Sequence, residues 1–302
     1  MRGKKAKSRG AGRSEGFVLI LVLLIVAALM ALAVNFAYGV YVDASGIHNI
    51  QLLQELSVEG SSLVESSAGP FLQALYSGKI PMDGQEMEIP LDDGTTVYFE
   101  AGDENSKFNV NTIVAQNGDL NTHAYNSFER LLKALGLDPA IAGKVAEWIH
   151  PGVLPYAAAP APGGAGGASA ANGYLTSVPE LKLIIDKPSY DTLRNYVTVY
   201  TNSDPQININ TAPAPVLESL SADLSEDLAE QIIERRKLEP FTNISQLSSV
   251  AGFEQLGTVL MPWITASSTA VRVEASATRQ DITRVVVAVL DTEGHVLYWR
   301  EY

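Results

Sequence analysis

The chain contains no cysteine, so it can hold no disulfide, no thiolate nucleophile and no Cys-ligated metal. Its stability must come from packing or from a bound metal. Histidine is scarce: His48, His123, His150 and His295 are scattered, with no H-E-x-x-H and no i, i+4 pair, which excludes the usual helix-borne zinc site. Each reads as a surface or internally satisfied histidine. Proline is missing from residue 17 until Pro70, so nothing in that stretch forbids a long helix. Charge is missing from residues 17 to 34, and positive charge is concentrated before them. Residues 1–16 carry six Lys or Arg and one Glu, a net +5; the remainder carries 15 basic against 33 acidic residues, a net −18. An acidic surface of that size repels nucleic acid, attracts divalent cations and keeps a domain soluble.

What is present is an apolar run from Phe17 to Val34, eighteen residues long, which is the length at which a run is read as membrane-spanning. In hydrocarbon only a helix satisfies such a backbone. Arg2, Lys4, Lys5, Lys7, Arg9 and Arg13 precede it, so the N-terminus is expected on the cytoplasmic side and the rest of the chain outside. Beyond Val34, Ile47, Ile50, Leu53 and Leu56 recur at helical spacing, so an amphipathic continuation follows. From Phe17 to the Gly69-Pro70 break such a helix would be about 80 Å long. Gly39, Gly46 and Gly60 are expected to weaken it by about 1 kcal/mol each and to permit kinks.

A secretory signal carries its small cleavage residue after the apolar run. Here Gly16 stands before it, directly ahead of Phe17. A basic leader, Gly, Phe and a long aliphatic run resemble the class III signal of type IV pilins and type II secretion pseudopilins; the plainer reading is an uncleaved signal anchor. The resemblance implies cleavage between Gly16 and Phe17 by a prepilin peptidase and methylation of the new amine. It also implies a Glu at the fifth mature position, thought to pair with a neighbouring subunit's terminal amine. That position here is Leu21.

Glu86 to Glu100 reads as a hairpin around Asp92-Asp93-Gly94. Val271 to Ala275, Ile282 to Leu290 and His295 to Trp299 read as strands, with a turn at Asp291-Thr292-Glu293-Gly294. Between these strand regions the chain reads helical, roughly from Asn105 to Thr265. That middle holds a faint repeat. Phe108-Asn109-Val110-Asn111-Thr112 returns as Ile207-Asn208-Ile209-Asn210-Thr211, and each is followed by a Leu-rich segment and a further helix. Residues 155–173 are Ala-, Pro- and Gly-rich and are expected to form a mobile loop.

The second copy, N-I-N-T-A-P-x-x-V-L followed by A-x-x-I-I-E-x-R and P-F-x-x-I-S-Q-L, looks like a helix-hairpin-helix unit. With the leader, F-N-V-N, E-W-I, S-V-P-E-L and Y-V-T-V-Y, all in order from Phe17 to Tyr302, the chain resembles the minor pseudopilin K family of type II secretion (general secretion pathway protein K). Lack of the fifth-position Glu is a habit of that family. The resemblance implies an α+β fold: a pilin-like N-terminal helix, transmembrane then amphipathic, packed on an antiparallel sheet that carries a large helical insertion with helix-hairpin-helix-like repeats. The segments are then a leader (1–16), a transmembrane segment (17–34), pilin-like helix and first strands (35–104), the inserted domain (105–265) and the closing strands (266–302). The implied role is non-enzymatic. A minor pseudopilin at the pseudopilus tip would help to start assembly and to export folded proteins across the outer membrane. It would be single-pass in the bacterial inner membrane with a periplasmic head. The implied partners are minor pseudopilins of the I, J and H types, the prepilin peptidase and the inner-membrane secretion platform. The alternatives are a minor pilin of a type IV pilus and an exported helix-hairpin-helix DNA-uptake receptor.

Three further motifs bear on chemistry. Gly12-Arg13-Ser14-Glu15-Gly16 matches G-x-S-x-G, but a nucleophile elbow needs a strand before it, and this one sits in the leader. The helix-hairpin-helix likeness suggests DNA, yet the hairpin Ser221-Ala222-Asp223-Leu224 has no Gly and carries an acid, so no nucleic acid is expected. Family members carry calcium in the insertion, commonly near a run of acids after the Trp-Ile segment. Here that segment is Trp148-Ile149-His150-Pro151-Gly152, followed by the Ala/Pro/Gly stretch. Asp103, Glu104 and Asp119 remain as oxygen donors, and the expectation is that they are solvated turn acids.

Overall fold

A computed structural model of the chain describes residues 12–66, 83–91, 94–154, 173–201, 206–280 and 282–302. The basic leader as far as Ala11, the Gly69-Pro70 break, the Asp92-Asp93 pair and residues 155–172 lie outside the described residues. The chain divides into two compact units, 1–55 and 56–302.

The first unit is the greater part of helix α1, Gly12–Ser66. Leucine, isoleucine and valine side chains from Leu19 to Val34 stand exposed all round it, which suits hydrocarbon and not water. Among the described residues it is the one helix long and apolar enough to cross a membrane. The helix runs on through Gly39 and Gly46 without melting, and a Cβ at either would meet nothing.

The second unit begins inside α1 at Leu56. Its sheet has five antiparallel strands in the order β1-β2-β7-β8-β9: β1 Asp83–Pro90, β2 Thr96–Asp103, β7 Ala270–Arg279, β8 Ile282–Asp291 and β9 Val296–Glu301. Alternation along each strand sends one set of side chains to one face. Phe99, Ala101, Val271, Val273, Ala275, Val286, Ala288 and Leu290 form its buried core. The end of α1 approaches this face closely, since a Cβ on Gly60 would lie 2.9 Å from Val286 Cγ2. Gly60 is therefore the residue that lets helix and sheet meet. The Ser57 hydroxyl donates to the Glu301 carboxylate at the end of β9.

The insertion enters between β2 and β7, and its two copies have the same plan. In the first, β3 (Phe108–Asn109) pairs in parallel with β4 (Val197–Thr198); in the second, β5 (Ile207–Asn208) pairs in parallel with β6 (Ile264–Thr265). The start and end of each copy are thus zipped together. Between them lie α2 (Thr122–Ala134), α3 (Ala140–Ile149) and α4 (Lys187–Leu193) in the first copy. The second holds α5 (Ala214–Ser219), α6 (Glu226–Leu238) and α7 (Leu256–Leu260). Asn121, Asp186 and Ser225 cap α2, α4 and α6 by accepting from the first-turn N–H groups of Ala124, Ser189 and Leu228. One core spans both copies, with Phe128, Leu131, Val145, Leu217, Ile232, Phe241 and Phe253 sealed from solvent.

The repeated asparagines explain why the sequence recurs. Asn109 and Asn208 each accept, through Oδ1, the N–H two residues on, at 3.0 Å in both copies. Asn111 then grips the backbone of Leu175, donating to its carbonyl and accepting its N–H, both at 2.9 Å. Asn210 grips Phe241 in the same way at 2.9 and 2.8 Å, and also donates to the Ala266 carbonyl. Each gripped residue opens a second recurring stretch, L-T-S-V-P-E-L against F-T-N-I-S-Q-L, so that S-V-P-E-L and I-S-Q-L are counterparts in the two copies. Glu180 Oε1 accepts from the N–H groups of Thr176 and Ser177, and Gln246 Oε1 from those of Thr242 and Asn243. Both are capping boxes of a short 3-10 turn.

Candidate functional site

Gly16, Phe17 and Leu21 all lie within α1, in its first three turns. Leu21 is 48% exposed. An aliphatic side chain at that place offers nothing to a neighbouring amine.

The second place that positions function is the seam between sheet and insertion, made by three consecutive residues at the end of β2. Asp103 is 1% exposed. Its Oδ1 accepts the Asn105 N–H at 2.8 Å, and its Oδ2 accepts from Asn208 Nδ2 at 2.8 Å and from the Thr211 hydroxyl at 2.5 Å. Burial pushes its carboxyl pKa up, and those donors pull against the shift. Glu104, equally buried, accepts from the Thr198 hydroxyl at the end of the first copy and pairs with Lys107 at 2.7 Å. Asn105 closes the seam: its Oδ1 accepts from the Thr269 N–H and hydroxyl at 2.7 and 3.0 Å, and its Nδ2 donates to the Gln206 carbonyl at 3.3 Å. Asp103 thus holds the second copy, Glu104 the first, and Asn105 the return into β7.

This overturns the reading of Asp103 and Glu104 as solvated turn acids. Both are buried structural acceptors, because the end of β2 and the 3-10 turn that follows it, Glu104–Ser106, run under the insertion. Asp119 does stand in a turn, accepting from Asn117 Nδ2 at 2.6 Å. Calcium does not fit these residues. Both oxygens of Asp103 are occupied by donors, and no group of three or more His, Asp or Glu among the described residues could hold a metal ion.

The histidines stand apart. His123 stacks on Trp263, with 3.6 Å between ring centroids, and burial with the nearby Arg130 lowers its pKa. His295 lies in the β8–β9 turn beside Asp291, whose carboxylate raises its pKa. The hairpin of the second copy uses its own N–H groups: Asp223 donates to the Ser221 hydroxyl and Leu224 to the Ser221 carbonyl. Those donors are not turned toward a phosphate.

Two family models, both described as type II secretion system protein K, match residues 106–202 and 207–267. Their boundary falls between the two zipped copies, and together they cover just over half of the chain. No curated protein matches it. Among solved structures it is similar to a chain of the GspK-GspI-GspJ complex from the type 2 secretion system of enterotoxigenic Escherichia coli, with a TM-score of 0.65 and 18% identity over 86% of this chain and 99% of that one. The long apolar helix, the antiparallel sheet and the doubled insertion are therefore those of the type II secretion system protein K family, to which this chain belongs.

Proposed function

We propose that the protein is a non-enzymatic minor pseudopilin at the tip of the type II secretion pseudopilus, where it helps to start assembly and to export folded proteins across the outer membrane. The observation that carries this is the insertion. A two-copy helical body sits between β2 and β7, on the sheet that neighbouring subunits of a helical filament would have to pack around. Such bulk is accommodated at an end and clashes along a shaft. Leu21 points the same way, because burying an unpaired terminal amine in hydrocarbon costs several kcal/mol and is tolerable once per filament. On this reading α1 anchors the chain in the bacterial inner membrane with the head in the periplasm. A prepilin peptidase cleaves between Gly16 and Phe17 and the new amine is methylated. The partners are minor pseudopilins of the I, J and H types and the inner-membrane platform. The structural relative was solved with GspI and GspJ, which supports the first two.

The test is assembly. The head should form a roughly equimolar ternary complex with the I-like and J-like heads, and gold label on the protein should mark one end of isolated filaments. Label spread evenly along the shaft would rule the tip out. Mass spectrometry should find the membrane protein without residues 1–16 and with an N-methylated Phe17; an intact leader in peptidase-containing cells would contradict the processing.

A further inference from the structure

The sheet face turned away from the α1 contact is not plain surface. A cleft of about 880 Å³ opens over it, walled on the other side by the first copy of the insertion. The strand register sets its charge. One row crosses all five strands: Glu86 lies opposite Glu100, Glu100 opposite Glu274, Glu274 opposite Val287, and Val287 opposite Arg300. Like charges directly opposite on neighbouring strands oppose pairing, and here three glutamates follow one another. Arg272 donates to Glu274 at 3.2 Å, which leaves Glu100 crowded. Burial first, then Glu274 and Glu86, raise its carboxyl pKa, although Arg272 and Lys107 lie near enough to act against them. At that end three glutamates face two cations, Arg272 and Lys107, and both are already paired, with Glu274 and Glu104.

The other end has cations to spare. Lys182 lies over the Tyr190 ring at 4.7 Å, Arg300 over the Tyr302 ring at 5.6 Å, and Arg194 shares the same wall. None of the three forms an ion pair among the described residues, and the nearby Asp191 is taken by Lys187. In a head dominated by acids, three cations outside those ion pairs and grouped around tyrosines are the exception, although the pKa of Asp191, lowered first by its hydrogen bond with Lys187, is lowered further by Arg194 and Lys182 nearby. Tyr200 and Tyr298, 5.4 Å apart, line the middle. Tyrosine and arginine in a concave site are what protein-protein contacts use as anchors.

We propose that this cleft receives an extended segment of another polypeptide bearing an acidic side chain over Arg300, Arg194 and Lys182 and a basic one over Glu100. From β2 to β9 is three strand spacings, about 14 Å, so the two charges sit about four residues apart in an extended chain. A uniform polyanion is disfavoured, because Glu100 and Glu274 would face it unpaired.

The experiment uses the full chain in detergent and fluorescein-labelled, end-capped peptides read by anisotropy. One contains Asp-Thr-Val-Thr-Lys; the controls replace the Lys by Asp or the Asp by Lys. The mixed peptide should bind saturably and about tenfold more tightly than either control. Arg300→Glu and, on a different element, Arg194→Glu should each weaken it by about tenfold with an unchanged melting temperature. Glu100→Lys should move the preference to the doubly acidic peptide, an effect that damage to the fold cannot imitate. Equal binding of all three peptides, no binding at millimolar concentration, or tighter binding of dextran sulfate than of the mixed peptide would each overturn the proposal.

Discussion

In the sheet, Phe99, Val273 and Val286 reach a common core because strands alternate, and the backbone ladder needs no help from side chains. In the insertion, strands of two residues cannot make a ladder. There Asn111, Asn210, Glu180 and Gln246 supply the bonds that the backbone lacks, each reaching a peptide group far along the chain or at the start of a short turn. One region is organised by period and the other by particular polar side chains. The sheet should therefore tolerate conservative change widely, whereas the insertion should fail at a few named positions.

The largest effect is expected where the two regions are tied together. Asp103→Ala leaves the Asn105 N–H, Asn208 Nδ2 and the Thr211 hydroxyl without their acceptor. At 1–3 kcal/mol for each unsatisfied buried donor, with partial relief from losing a buried charge, the cost is about 4 kcal/mol. Urea unfolding measures it, and a value near zero would mean that the seam is wet and that sheet and insertion are joined by packing alone.

Within the insertion, Asn210→Ala removes three side-chain bonds to distant backbone and Asn111→Ala two. The expected losses are about 3 and about 2 kcal/mol. The reverse order in denaturant unfolding would break the equivalence of the two copies.

In the sheet the sensitive point is a contact. Gly60→Val drives a side chain into Val286 and should cost about 2 kcal/mol by overpacking. Val286→Ala in the same chain should recover part of it, so that the pair costs less than the sum of the singles in a double-mutant cycle. Strict additivity would show that Gly60 matters for another reason.

The smallest effect has the opposite sign. Glu100→Gln relieves the row of glutamates and should stabilise the head at neutral pH by a few tenths of a kcal/mol, since the site is largely solvated. The folded-state pKa of Glu100 is raised, so its charged form is what the fold resists. The wild-type chain is relieved below the ordinary carboxylate range and loses that relief as pH rises through the folded pKa. The gain in the variant should therefore be present at pH 7 and gone by about pH 4. A gain independent of pH would assign it to packing.

Much of this organisation was legible before any coordinates. The apolar run gave α1, the turn residues and alternation gave the sheet, and the N-V-N-T and N-I-N-T pair announced two copies. The partners of that pair were not legible. Leu175 and Phe241 are 64 and 31 residues away from the asparagines that grip them, and no period connects such positions. The signal was available in L-T-S-V-P-E-L and F-T-N-I-S-Q-L, whose likeness lies in capping chemistry and not in identity. Asp103 and Glu104 were misplaced for a related reason: an acid beside Asn and Ser at a strand end reads as a turn unless one knows what folds over it.

The sequence by itself determined the long apolar helix and the strands of the sheet, because those follow from the spacing of apolar residues and the chemistry of near neighbours. Only the tertiary structure decided that Gly60 is a point of contact, that Asp103 is buried, and that Glu100 and Arg300 stand in one row across the sheet. Those facts depend on register and on approach between segments remote in the chain, and the energy that fixes them comes from burial and hydrogen bonds that exist only once the segments have met.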